Sequence, residues 1–459
     1  MISREPADRP NIILINCDDL GYGDLGCYGS PINTTPHLDQ MAAEGVRLTD
    51  FYMAAPLCSP SRGAMMTGCY PRRIGFGSFD GRAVLFPGMA VGLDPSERTV
   101  ASILKDQGYA TMLVGKWHCG DQPEFLPTRH GFDHYFGIPY SNDMGRQRTF
   151  TPDCWPPLPL MRDEEVIQAQ FEQESLTERY ADEAVRFVRD NAEKPFFLYL
   201  AHMHVHRPVL VSPRFAGHAN GRYGGAVEAI DWVTGVLMYE LRQLGLDENT
   251  LVVFTSDNGS RGDLGGSNAP LRGRKGGTWE GGQRVCCIAR WPGQIQAGAT
   301  CGELATAMDF LPTFARLAGT RGPDDRVIDG KDISPLLMGE PGAVSPHEEF
   351  FYYSVTQLEA VRVGPWKLHV HKGKDDILEL YNLADDIAET TNLAADHPEI
   401  VADLQARLDR CRKDLGDSVT GVEGAGCRPI GRVEDPKPLT KYDPNCPYVC
   451  AEYDTGEGG

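Results

Sequence analysis

Up to about residue 330, short unbroken apolar runs alternate with stretches in which apolar residues recur every three or four positions. Runs of the first kind read as buried strands and stretches of the second as amphipathic helices. Residues 11–16 (NIILIN), 110–115 (ATMLVG), 196–201 (FFLYLA) and 251–255 (LVVFT) are predicted strands. Helices are predicted from Pro36 to Gly45 with Thr35 as cap, around Val100 to Gln107 with Gly108 as stop, over 177–190, and over 223–244 up to Gly245. Strands that are apolar at every position fit a parallel sheet covered by helices on both faces, an α/β fold.

The style then changes. Segments 349–354, 358–363, 366–370 and 377–381 follow one another closely, with Gly364-Pro365 as a turn. They predict a small antiparallel sheet, followed by a helix over 398–411 and a tail rich in Gly and Pro. The expected division is a large domain over 1–330 and a smaller one over 331–459.

Polar residues gather where the strands of the first part end. The run at 11–16 leads into Cys17-Asp18-Asp19, that at 110–115 into Lys116-Trp117-His118, that at 196–201 into His202-Met203-His204-Val205-His206, and that at 251–255 into Ser256-Asp257-Asn258-Gly259. In an open parallel sheet, ligands bind beyond the carboxyl ends of the strands, so four such endings predict one shared site. Asp18, Asp19, Asp257 and Asn258 offer only oxygen ligands, which suit a hard divalent cation such as Ca²⁺ or Mg²⁺, whereas zinc would favour His and Cys. The three histidines would share a strand face if their strand continued, and three of them could bind zinc, but the oxygen cluster already accounts for a metal. His206 is the site candidate among them, with His202 and His204 read as hydrogen-bonded walls.

Composition narrows the partners. The 459 residues are 41% hydrophobic and 24% charged, an ordinary globular balance, and the net charge is −20. That charge argues against nucleic acid or an anionic membrane as partner, and an anionic substrate would require a locally basic site. No apolar run is long enough to span a bilayer, and no signal peptide is visible ahead of the first strand. The sequence as written therefore reads as cytoplasmic, or as periplasmic or secreted if an export signal has been removed. Thirteen cysteines do not form a disulfide framework; Cys446 and Cys450 could bridge or join a metal site, but unpaired thiols are the leading expectation.

The sharpest local signal is Cys58-Ser59-Pro60-Ser61-Arg62-Gly63, followed by Thr67-Gly68. Pro60 suits a first helical turn, which would put residue 58 just ahead of a helix N-terminus, where an anion or a depressed thiol pKa is favoured. This Cys-x-Pro-x-Arg segment resembles the signature of the formylglycine-dependent sulfatases. Asp18-Asp19-Leu20-Gly21-Tyr22-Gly23-Asp24, Gly115-Lys116-Trp117-His118, His206-Arg207-Pro208, Ser256-Asp257-Asn258-Gly259 and Lys275-Gly276-Gly277-Thr278-Trp279-Glu280-Gly281-Gly282 follow in that family's order. The chain looks closest to the arylsulfatase A and N-acetylgalactosamine-6-sulfatase branch.

The resemblance implies an alkaline-phosphatase-like fold, with a catalytic sulfatase domain over 1–330, and Cys58 oxidised to formylglycine by a formylglycine-generating enzyme during maturation. It implies Asp18, Asp19, Asp257, Asn258 and residue 58 as calcium ligands. It further implies Arg62 and His118 beside the formylglycine, Lys116 and Lys275 on sulfate oxygens, and His206 near the bridging oxygen. The expected substrate is a sulfated sugar or an aryl sulfate. Cys119 stands where the family usually has Leu, and Gly273 stands where the lysosomal arylsulfatase has a disulfide cysteine. Rival readings are a phosphonate monoester or phosphodiester hydrolase of the same superfamily, a non-catalytic calcium-stabilised binding protein, and a zinc-stabilised Cys/His protein. Loops 79–93 and 143–160 and the tail are expected to set specificity, and the oligomeric state is not readable.

Overall fold

The computed structural model describes residues 9–146, 155–169, 171–443 and 445. Its centre is an eleven-stranded sheet. Strand Asn11–Cys17 lies between Phe196–Ala201 and Thr250–Ser256 and runs parallel to both. Ala110–Lys116 and then His134–Ile138 continue the parallel block on the far side of Phe196–Ala201. The sheet is mostly parallel, with antiparallel strands on either side of that block. Arg284–Arg290 runs antiparallel between Thr250–Ser256 and Val46–Tyr52, and the hairpin Pro159–Arg162 with Glu165–Ala169 closes the opposite edge.

Alternation along the first strand shows why its unbroken apolar run is needed. Ile12 and Leu14 pack into one core with Met65, Leu104 and Phe314, whereas Ile13 and Ile15 pack into another with Leu38, Tyr180, Ile230 and Leu237. Helices Cys58–Thr67, Val100–Asp106 and Phe310–Leu317 thus cover one face, and Pro36–Ala43, Leu176–Asp190 and Gly221–Gln243 the other. Each fully buried aliphatic side chain contributes about 1.5–3 kcal/mol of transfer free energy.

Thr35 does precede the first helix, but its hydroxyl accepts from Gly26 N–H at 2.9 Å and donates to Asp39 at 3.0 Å instead of capping. The strands Phe350–Ser354, Gln357–Val363, Trp366–Lys372 and Asp375–Asn382 form a four-stranded antiparallel sheet. Helix Pro398–Leu415 packs on it, and Tyr52, Ala64 and Tyr70 of the preceding part join the same apolar cluster. Among the described residues no helix is long and apolar enough to cross a membrane. The ten cysteines among them are free thiols; Cys446 and Cys450 lie outside the described residues.

Candidate active site

Register brings the strand ends to one level. Asn16 pairs with both Ala201 and Thr255, Cys17 pairs with Ser256, and Gly115 pairs with Ala201. One residue beyond the pairing, Asp18 N–H donates to His204 O at 2.8 Å and Asp257 N–H to Cys17 O at 2.9 Å. Parallel strands in register therefore deliver Asp18, Asp257 and Lys116 to the same rim. Gly115 is required there: with φ +118°, a Cβ would lie 1.8 Å from Ala201 O.

Acidic and basic side chains interleave on that rim, all of them buried or nearly so. Lys116 Nζ donates to Asp18 and, at 3.2 Å, to Ser141 Oγ. Lys275 Nζ contacts Asp19 at 2.7 and 2.9 Å, and Asn258 Nδ2 donates to the same carboxylate at 2.8 Å. Arg62 binds Asp257 through Nε and Nη2 at 2.8 Å each, donates to Lys116 O at 2.7 Å, and lies 3.8 Å from Asp18. Burial works against both lysine charges, yet Asp18 beside Lys116 and Asp19 beside Lys275 outweigh it and raise both pKa values. Burial likewise opposes charge on Asp18, but Lys116, His206, Arg62 and Lys275 hold that carboxyl far below its usual range.

Cys58 is the first residue of its helix and not the residue ahead of it. Its thiol pKa is raised, chiefly by burial, despite the nearby charges of Lys116 and Lys275. An unmodified Cys58 is therefore a protonated thiol and a weak nucleophile, contrary to the expectation drawn from the helix end. Ser59, next along, accepts from Leu85 N–H at 3.1 Å, and His118 Nε2 lies 3.0 Å from Leu85 O. His118 Nδ1 has no protein partner among the described residues, and burial together with Lys116 keeps the ring neutral. Asp19 at φ +62° and His118 at φ +58° both hold left-handed backbone, a local cost of about 1–3 kcal/mol that a functional site sustains through its surroundings.

The strand Phe196–Ala201 stops before the histidines, so they do not share a strand face. His206 reaches the rim, with Nε2 3.9 Å from Asp19. Its Nδ1 is 2.6 Å from Arg207 O, and because a carbonyl only accepts, that nitrogen carries the hydrogen. His202 and His204 are buried, and burial pushes their pKa values down to about 3 and about 4. Neither ring nitrogen of His202 has a protein hydrogen bond among the described residues, so that wall is not hydrogen-bonded as expected.

The donor set fits a hard cation. Asp18 Oδ1 and Asn258 Oδ1 are buried without a protein partner, which is costly unless something binds them. Ligand atoms of Asp18, Asp19 and His206 lie within 4.8 Å of one another. Asp257 is near the same place but is engaged by Arg62.

Ser141 and Asn142 were missed from the sequence. They follow strand His134–Ile138 and meet Lys116 and His206: Ser141 Oγ lies 3.5 Å from His206 Nδ1, and Asn142 Oδ1 lies 3.2 Å from it. The strand-end rule that found the other residues would have found these had HYFGI been read as a strand. Above the rim Phe86 stacks on Trp155 at 5.2 Å, joining two of the loops expected to set specificity; residues 147–154 of the second loop lie outside the described residues.

A profile described as Sulfatase matches residues 10–320, and one described as N-sulphoglucosamine sulphohydrolase, C-terminal, matches residues 275–414. The steryl-sulfatase of Mus musculus is 41% identical over 434 residues, covering 78% of this chain and 69% of its own length. Arylsulfatase A of Homo sapiens is 43% identical over 390 residues, covering 79% of this chain and 75% of its own length. Among solved structures, Ps i-CgsB in complex with k-i-k-neocarrahexaose is similar with a TM-score of 0.78 at 31% identity, across 88% of this chain and 92% of that one.

Proposed function

The chain belongs to the sulfatase family, and from that premise we propose that it releases sulfate from a saccharide ester, with residue 58 oxidised to formylglycine and calcium bound beside it. It is a sulfuric-ester hydrolase of alkaline-phosphatase-like fold. The observation that carries the finer reading is the charge balance near Cys58, where three carboxylates (Asp18, Asp19, Asp257) interleave with three cations (Arg62, Lys116, Lys275). A divalent cation added to that balanced cluster leaves it net positive, which suits an anionic ester even within a chain of net charge −20.

Asp18, Asp19, Asp257 and Asn258, with an oxygen on residue 58, would hold the cation. Calcium would supply Lewis acidity toward the ester oxygens, and hydrated formylglycine an oxygen nucleophile. The protein's own groups do the rest. Lys116 and Lys275 bind the non-bridging sulfate oxygens by charge, preorganised before the substrate arrives. Arg62 steadies residue 58, and neutral His118, whose Nδ1 has no protein partner among the described residues, would serve as its hydrogen-bond partner. Neutral His206, hydrogen-bearing at Nδ1, offers Nε2 only as an acceptor, which leaves Lys275 to protonate the departing alcohol.

A sugar fits better than a sterol, because the walls beside Lys275 carry the cations Arg261 and Arg274 alongside Trp279. The complex of the similar Ps i-CgsB with k-i-k-neocarrahexaose supports the same choice. The test is turnover of an aryl sulfate, an aryl phosphate diester and sulfated saccharides by the mature protein, with peptide mass spectrometry across residue 58. Sulfate esters are expected to turn over faster, with an aldehyde at residue 58. Faster turnover of the phosphodiester overturns the saccharide-sulfate assignment, and a thiol at residue 58 in active protein overturns the nucleophile.

A further inference from the structure

A cleft of about 610 Å³ opens beside Lys275, walled by Arg261, Arg274, Trp279 and a set of glycines. Its size is within the roughly 300–1,000 Å³ typical of small-ligand sites. Every charged residue lining it among the described residues is a cation: Arg261, Arg274 and Lys275. The nearest carboxylate to Arg261, Asp263 at 3.4 Å, is shared with Arg207 at 3.8 Å, so one negative charge faces two guanidinium groups. Arg274 is exposed and makes no ion pair among the described residues. In a chain of net charge −20, such a concentration of unbalanced positive charge runs against the average surface.

The cleft and the reaction centre share a side chain. Lys275 lines the cleft while its Nζ lies 2.7 Å from Asp19 on the rim. A group held between Arg261 and Arg274 therefore shares Lys275 with an ester held on the rim. Gly273 at φ +87° and Gly276 at φ +83° turn the chain on either side of Arg274 and leave no side chain of their own to fill the space.

We infer that this cleft is a subsite for a second sulfate group, and that the substrate is a multiply sulfated saccharide cleaved at the ester nearest residue 58. The inference rests on the sulfatase reading above. Arg261 is half-buried and Arg274 exposed, so their contribution to binding the second sulfate is modest singly and sensitive to salt.

The experiment measures binding calorimetrically in a Cys58→Ala background, which keeps the ligand intact, with sucrose octasulfate and inorganic sulfate as the two probes. Adding Arg261→Gln and Arg274→Gln is expected to weaken the octasulfate about tenfold at low salt, with a smaller loss for inorganic sulfate, which can also bind at the rim. An octasulfate affinity changed by less than about twofold overturns the subsite, as does a parallel loss for both probes. Aryl sulfate turnover by the Arg261→Gln/Arg274→Gln protein with residue 58 intact should fall less than its turnover of a disulfated saccharide, and equal losses on both overturn the subsite. Absence of turnover in the parent itself counts against the reaction and not against the cleft, which the binding measurement decides independently.

Discussion

Lys275 bridges two environments, with its ammonium against Asp19 on the rim and its stem along the cationic cleft. In its proposed role on the sulfate oxygens it should follow the behaviour of a single preorganised donor, and Lys275→Ala is expected to lower kcat by about 10²–10³. A loss below about tenfold in steady-state turnover would contradict its role. A second residue-scale prediction concerns His130, which stacks near Trp117 at 5.4 Å, has no ring hydrogen bond among the described residues, and is pushed down to about 4 by burial. The unfolded chain takes up this proton below its ordinary pKa of about 6.5 while the folded one refuses it, so stability present at pH 7 is lost as pH falls toward 4. The loss from this group is about 3 kcal/mol. Asp24, pushed up to about 7 by burial, has the opposite sign and gains as pH falls through 7. His130→Phe compared with the parent isolates the histidine: its urea midpoint should fall less between pH 7 and 4. Equal slopes would refute the assignment.

At the scale of elements, the segment that carries Lys275 is anchored by a buried charge network in the small sheet. Lys367 Nζ binds Glu280 at 2.8 Å and Glu389 at 2.9 Å, all three with no exposed side-chain surface. His369 joins Glu389 at 2.8 Å, while Arg272, three residues before Lys275, donates to Glu389 O at 2.7 Å. Lys367→Met leaves two buried carboxylates without their shared cation, and a loss of about 3–5 kcal/mol in unfolding free energy is expected by denaturant titration. A change under about 1 kcal/mol would mean the network contributes little. Elements also show where local rules stop. Pro60 fits any position of a first turn, because the first four N–H groups of a helix lack partners, so it could not tell a helix starting at Cys58 from one starting later. Val46–Tyr52 and Arg284–Arg290 escaped the apolar-run criterion because they contain Asp50, Arg284 and Arg290. Those charges are tolerated because they pair with one another or with Glu44 and Asp247.

For the whole molecule, the rim proposed to bind substrate should also tie stability to a metal. Asp18 Oδ1 and Asn258 Oδ1 end strand Asn11–Cys17 and strand Thr250–Ser256, two neighbours at the centre of the sheet, so a cation binding both clamps elements far apart in sequence. Calcium at a hundredfold its Kd should raise unfolding free energy by about 2.7 kcal/mol over chelator-treated protein, with magnesium giving less at equal concentration. Identical thermal midpoints in chelator and calcium would remove the cation from the reading.

Consecutive apolar residues determined the central strands and their burial on both faces, because a strand's two-residue period leaves no polar side to show water. Residue type at the strand ends also made Asp18, Lys116, His206 and Asp257 legible as candidates, since ligands gather beyond such ends. Both are local properties, carried by neighbouring residues. Register across the parallel strands decided that Lys116 meets Asp18, 98 residues away, and packing of helix Cys58–Thr67 on the sheet decided that Arg62 meets Asp257, 195 residues away. The tertiary structure likewise decided which His206 nitrogen holds hydrogen, that burial raises the Cys58 thiol pKa, and that two arginines face a cleft beside Lys275. Those outcomes depend on distance and desolvation, and neither is written in the order of residues along the chain.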